Sequence, residues 1–437
     1  MKMNELELKQ KEYKDCTKNV EIYKKYKMFA YDWLFYYAIQ VLFLTTIKNI
    51  TVAQIMFLSS VYAFSVCGCQ LIVGLIINKL DNRKSIIIGN IISSAVCFMY
   101  IFSSDYYVFM VAQVLIALGS SLKSVAEGNI LYGSLKRIDK RDRFSKVEGL
   151  ANSRYYYLDA ITGVIAGYLF VINGYIPIIL CFVCNVIALV ISISFRDYIP
   201  STAIINENGE YENEKTSFKD YLSSLKTIIN SDRAKAILVF SFIFYGIVST
   251  SLILYKSILI DLSMSAQYIA IIASIHSIIV GIGSKSLYHI EKKTKNKTLT
   301  IFGIGFVMAI YIIGVVGSFN VLNSYTMIIL VICLFIMAII QGAYRVAMKK
   351  YVVSFTTGKI RTNLVSIYYM AEGIGQGILL FFSGLLLEHN SNSKTAMIMG
   401  VLGIAIVFVI LLYIDNKLGL KPEEYAPKDI YKEKEEN

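Results

Sequence analysis

Twelve stretches of this sequence stay apolar for about the length a helix needs to cross a lipid bilayer, and that repetition constrains the fold more than any single motif. They fall at 29–47, 52–78, 86–103, 107–134, 147–171, 177–195, 236–258, 265–287, 299–318, 325–348, 363–387 and 396–415. Within hydrocarbon every backbone N–H and C=O must find a partner inside the protein, which leaves helices or closed barrels. The alternating pattern of barrel strands is absent. The expectation is an all-α membrane protein with twelve transmembrane helices in two six-helix, pseudo-symmetric bundles. A hydrophobic content of 56% and a mean hydropathy of +0.57 are outside the range of soluble domains of this size.

Charge then orients the chain. Five segments between spans (2–3, 4–5, 6–7, 8–9 and 10–11) hold twenty-three lysines and arginines, whereas the other six hold Lys48 and Lys394 alone. Excess positive charge marks the cytoplasmic side, so both termini and the central loop are expected there, in a plasma membrane. The net charge of +12 is thereby accounted for without nucleic acid, since no basic stripe falls on a soluble face. Residues 1–28 read as a charged cytoplasmic tail, 29–195 as the first bundle, 236–415 as the second, and 416–437 as a second tail. The linker, 196–235, becomes amphipathic at Phe218, Leu222, Leu225 and Ile229, the spacing of a helix lying on the membrane surface.

Ionisable residues at membrane depth are the main functional signal, because each costs about 2.5–3.5 kcal/mol at the centre of a helix. Lys123 and Glu127 lie four apart on span 4, and Arg154 and Asp159 lie on span 5, across the basic hinge 136–146. Equal distance from that hinge means equal depth, so the spacing predicts Glu127 with Arg154, about 10 Å into the core, and Lys123 with Asp159 one turn deeper. The halves repeat weakly: 80–89 aligns with 294–303, and Arg143 with Arg361. That offset sets Arg345 opposite Glu127 and Glu372 opposite Arg154, predicting a third pair, with Gln341 and Gln376 one turn deeper. Parallel six-span repeats with a midplane site are an architecture of secondary transporters. Buried pairs can also do no more than fix helix register. Glu372 or Asp159 is the expected carrier of a coupling proton.

Tyr36, Tyr156, Tyr368 and Tyr369 are candidate cavity aromatics, suited to amphipathic or cationic molecules. His276 is expected to be a hydrogen-bonded histidine of span 8. Cys181 and Cys184 form a CxxC without a second ligand pair and are expected to pack rather than bind metal. Only Pro177 among four prolines touches a span, so unwound helices are not expected and bending falls to Gly373, Gly375 and Gly377. No phosphate-binding loop, HExxH or GxSxG occurs, so neither an enzyme nor a cofactor is expected.

This six-plus-six plan resembles the major facilitator superfamily over about residues 28–416. Of that family's signature between spans 2 and 3, Gly74, Lys79 and the basic Arg83-Lys84 match, while Asn78 replaces the acid and Asp81 the second glycine. Ala126-Glu127 through Leu135-Lys136 is similar to span 4 of drug-efflux-like members, and Arg361 through Ser366 to the opening of span 11. The resemblance implies a cytoplasmic gate made by Gly74, Asn78, Lys79, Arg83 and Arg361, and Asp32, beside Trp33, Tyr36 and Tyr37, is expected either to guard that mouth or to anchor the span at the interface. It further implies a monomeric secondary active transporter working by alternating access, with proton-coupled efflux of a small amphipathic or cationic compound as the expected activity. Uptake or facilitated transport of an anionic metabolite through Lys123, Arg154 and Arg345 is the alternative. A non-transporting scaffold or sensor is the alternative from another class.

Overall fold

The computed structural model describes residues 5–76, 81–140, 143–196, 203–205, 211–213, 232–294, 298–354 and 359–417. Helix α1 spans Glu5–Ala30. After a break at 31–36, a short helical run covers Tyr37–Ile47. Next come α2 (Val52–Ile76), α3 (Asn82–Phe102), α4 (Tyr106–Arg137), α5 (Phe144–Ile172) and α6 (Ile176–Ile193). A two-stranded antiparallel ladder, β1 (Ala203–Ile205) with β2 (Tyr211–Asn213), lies in the linker. The second half has α7 (Asp232–Asp261), α8 (Ala266–Thr294), α9 (Thr298–Ser318), α10 (Ser324–Ser354), α11 (Lys359–His389) and α12 (Asn392–Lys417). Among the described residues, eleven helices, α2 to α12, are long and apolar enough to cross a membrane. The expected surface helix at 218–229 lies outside the described residues.

The first span departs from expectation. The sequence predicts a continuous helix over 29–47 preceded by a tail, whereas the chain is helical from Glu5 to Ala30 and breaks at the aromatic-acidic stretch that follows. The Asp32 carboxylate accepts the Trp33 N–H at 2.8 Å, capping its own backbone in place of the helix, and Phe35 adopts φ 64°. Beyond the break the chain passes through 3₁₀, α and π turns within Tyr37–Ile47. The Thr45 and Thr46 hydroxyls donate to the carbonyls of Val41 and Leu42, at 2.9 and 2.7 Å. Such back-bonding bends helices and favours irregular turns. A broken helix therefore occurs without proline.

Contacts divide the chain into two compact units, one within 1–38 and 65–216, the other within 39–64 and 217–437. The boundary runs through α2 because its first half packs in the second unit. There Ser60 donates to the Gly377 carbonyl at 2.7 Å, Phe57 meets Phe381, and Met56 joins the core. Inside the units the pairing of helices repeats. α3 packs on α4 and α6, as α9 does on α10 and α12; α1 packs on α5, as α7 does on α11. α1 thus takes in the first unit the place that α7 takes in the second. Its charged sequence hides the stripe that permits this: Cys16, Val20, Tyr23, Tyr26 and Ala30 are buried at helical spacing among Leu122, Ala126, Ile130 and Ala151. α11 is continuous, and a methyl group at Gly375 would collide with the Phe242 carbonyl of α7, so that glycine permits close approach.

Candidate functional site

In the first unit α1 lies against both α4 and α5, while those two helices touch each other at few places. This geometry redirects the expected ion pairs. Glu127, 2% exposed, pairs with Lys27 of α1 and not with Arg154, which faces outward and is exposed. Lys123 is buried with its stem over Gly89 of α3, and its electrostatic neighbours are Glu127, Lys27 and Asp32 rather than Asp159. Asp159 is buried on α5, close enough to act on the Tyr155 phenol. The two-level arrangement inferred from hinge distance is corrected: the intervening helix supplies the partner.

Tyrosines complete this cluster. Tyr23 donates to Glu148 at 2.5 Å, and the Asn90 amide donates to the Tyr26 hydroxyl at 3.1 Å. Lys27 stands over the Tyr31 ring at 5.2 Å, Tyr31 packs on Tyr155 at 4.6 Å, and its hydroxyl meets that of Tyr156 at 3.2 Å. Of the expected aromatics here, Tyr156 joins the group. Tyr36 is buried edge-on against Trp33 and Tyr100, in a separate aromatic knot. Near it the sulfurs of Cys97 and Cys181 meet at 3.6 Å, with the Asn185 amide against both.

The second unit carries a different acid. Glu372 of α11 is 7% exposed, and one of its oxygens accepts the Tyr368 hydroxyl at 2.5 Å and the Tyr344 hydroxyl of α10 at 2.9 Å. Phe240 and Phe244 of α7 stack at 5.3 Å, and Phe244 backs Tyr344. Arg345 is exposed and within electrostatic reach of Glu372, but the tyrosines make the contact, so the third expected pair is loosened. Gln341 is buried with its Oε1 accepting no hydrogen bond among the described residues, Gln376 is half-buried, and Tyr369 is largely exposed. His276 is buried, and its Nε2 makes no hydrogen bond among the described residues, contrary to the expected bonded histidine. Lys256 and Arg345 both act on it.

Of the expected gate, Asn78 and Lys79 lie outside the described residues, Gly74 is in the last turns of α2, and Arg361 is in the first turn of α11. Asp32 is exposed at the break after α1, and Arg83 donates to the Ile193 carbonyl at 2.8 Å, tying α3 to α6. Sequence reasoning missed Lys27, Tyr23, Tyr344 and Lys256. The stripe from Cys16 to Ala30 was the available signal for the first two, and a lysine inside an apolar span for the last.

A family model described as Major Facilitator Superfamily matches residues 28–329. The chain belongs to the Major Facilitator Superfamily. No curated protein matches the sequence. Solved structures share the fold at low identity. A mutant form of the nucleoside transporter NupG superposes with a TM-score of 0.74 at 12% identity, over 91% of this chain and 99% of that one. A POT family transporter in complex with a thioalcohol-conjugated peptide gives 0.68 at 14%, over 92% and 95%. A bacterial homolog of the human lysosomal transporter Spinster, inward-facing and unoccupied, gives 0.66 at 11%, over 96% and 99%. This facilitator-superfamily member is therefore a multi-pass membrane protein with a transporter fold, and each of its units buries an acid of its own.

Proposed function

We propose that this protein is a secondary active transporter that moves a small organic molecule by alternating access, with Glu372 carrying a coupling proton. The observation that supports this is the partner set of Glu372: a carboxylate at hydrocarbon depth whose hydrogen bonds come from two neutral phenols. Such an acid changes charge without stranding a bonded cation. Glu127 differs, because protonating it would release Lys27. A group that binds a proton in one conformation and gives it up in another couples the gradient to the conformational equilibrium. The asymmetry of lysine and arginine supports cytoplasmic termini; a plasma-membrane location and a single working chain belong to the same reading.

Two substrate classes are compatible with this mechanism. Tyr31, Tyr155 and Tyr156 favour efflux of an amphipathic or cationic compound. Lys256 and Arg345 around His276 favour an anion. The test uses proteoliposomes under an imposed pH gradient, with ethidium and glucose 6-phosphate as cationic and anionic probes. Glu372→Gln is expected to abolish gradient-driven movement while preserving exchange of the same probe across equal pH. Gradient-driven movement at the parent rate in Glu372→Gln would refute the coupling role. Absence of any movement in the parent protein would favour the scaffold reading.

A further inference from the structure

The second unit opens a cavity at the end opposite its basic loops. The last turns of α7, α9 and α11 and the first turns of α2 and α12 surround an open space of about 860 Å³, all of it inside this unit. Asp261 closes α7 and Glu388 stands in the last turn of α11, and both line the cavity. Glu388 follows Glu372 by sixteen positions on α11, which puts the cavity about 24 Å from the coupling acid.

Both acids stand where a helix disfavours them. A helix C-terminus carries partial negative charge, so a carboxylate there is repelled rather than held. Neither acid has an ion pair among the described residues, and no lysine, arginine or histidine is among the residues lining the cavity. The Asn392 amide donates to one Asp261 oxygen at 2.7 Å, which orients that carboxylate and leaves its second oxygen to accept from elsewhere. Ser393 supplies an independent sign of an occupant. It is 6% exposed, lines the cavity, and its side chain makes no hydrogen bond among the described residues. Buried hydroxyls normally have partners. An added methyl at Gly317 would strike the Ser393 hydroxyl, so glycine keeps that oxygen uncovered.

The lining selects the chemistry of the occupant. Two carboxylates with no facing cation draw positive charge. No aromatic ring lines the cavity, so a quaternary ammonium finds no π face, whereas an ammonium with N–H groups finds carboxylate, amide and hydroxyl acceptors. A bare metal ion fits less well. Among the described residues no group of three or more His, Cys, Asp or Glu could hold one, and the volume is that of a small-molecule site, about 300–1,000 Å³.

We infer that this cavity binds a small organic primary amine, with Asp261 and Glu388 as the anionic contacts and the Ser393 hydroxyl as a further acceptor. The inference does not rest on transport and is tested without a gradient. Binding is measured by isothermal titration calorimetry on the purified full chain at constant pH. Putrescine is the amine, tetramethylammonium a cation without N–H donors, magnesium a bare ion and malate an anion. Putrescine is expected to bind and the other three to give no binding heat. Asp261→Asn and Glu388→Gln each weaken putrescine affinity about tenfold, as for loss of a charged hydrogen bond, and Ser393→Ala about fivefold. Both acids are exposed, so their neutral variants leave the core intact, and Glu21→Gln on α1 controls for the change of net charge. The inference is overturned if putrescine does not bind, if tetramethylammonium, magnesium or malate binds as tightly, or if Asp261→Asn and Glu388→Gln both bind as the parent does.

Discussion

Replacing Lys27 by methionine should be among the more damaging single changes in the first unit, although it removes a charge from a segment whose composition looks like a solvent-exposed tail. Lys27 and Glu127 have side chains 12% and 3% exposed, so the pair is nearly dry. Removing one member of such a pair costs about 3–5 kcal/mol, because the other stays buried without compensation. Lys123, one turn away on α4 and within reach of Glu127, takes up part of the lost attraction, which sets the expectation at the lower end, about 3 kcal/mol. For a unit of this size that corresponds to a fall of about 6–12 °C in melting temperature, read by circular dichroism. Glu127→Gln should cost less, about 1–2 kcal/mol, since the long lysine stem lets its ammonium reach water. The double variant Lys27→Met/Glu127→Gln should therefore melt above Lys27→Met alone. A double variant that melts at or below that single one would refute the claim that α1 is clamped to α4 by this pair.

Further expectations follow from the same packing. Cys16 is fully buried on α1, so iodoacetamide should leave it unlabelled until the chain is denatured, and native labelling at the rate of an exposed thiol would contradict the packing of α1. Gly375→Ala drives a methyl into the Phe242 carbonyl and should cost about 1–3 kcal/mol, while Gly68→Ala, with open space around it, should melt as the parent does; equal melting of the two would deny the close contact of α7 and α11. Tyr368→Phe removes the shorter of two bonds to Glu372 and should shift the pH dependence of transport, because the phenol stabilises the ionised acid; an unshifted profile would separate Glu372 from coupling.

The apolar blocks were legible because lipid demands long, regular, self-satisfied helices, so α2 to α12 follow from composition alone. The first span was not. Its buried face is carried by Cys16, Val20, Tyr23 and Tyr26 among densely charged neighbours, and a window average sees only the charge. With α1 read as a tail, α4 and α5 become direct neighbours, and Arg154 falls opposite an acid that Lys27 holds. Burial of Lys123, Glu127, Asp159, Gln341 and Glu372 was foreseeable because charge at membrane depth must turn inward, whereas the identity of each partner depends on which helix lies between, and spacing along one helix does not contain that information. Arg154 and Arg345 turned outward for a related reason: a guanidinium on a long stem can leave the interior where a short carboxylate cannot.

Trp33 stands at the interruption that follows α1, packed edge-on against Tyr36 and Tyr100, and it is the sole indole in the chain. Light absorbed at the red edge therefore excites one known location out of 437 residues, and the emission colour and lifetime of the native protein become a label-free gauge of how that interruption moves during a transport cycle.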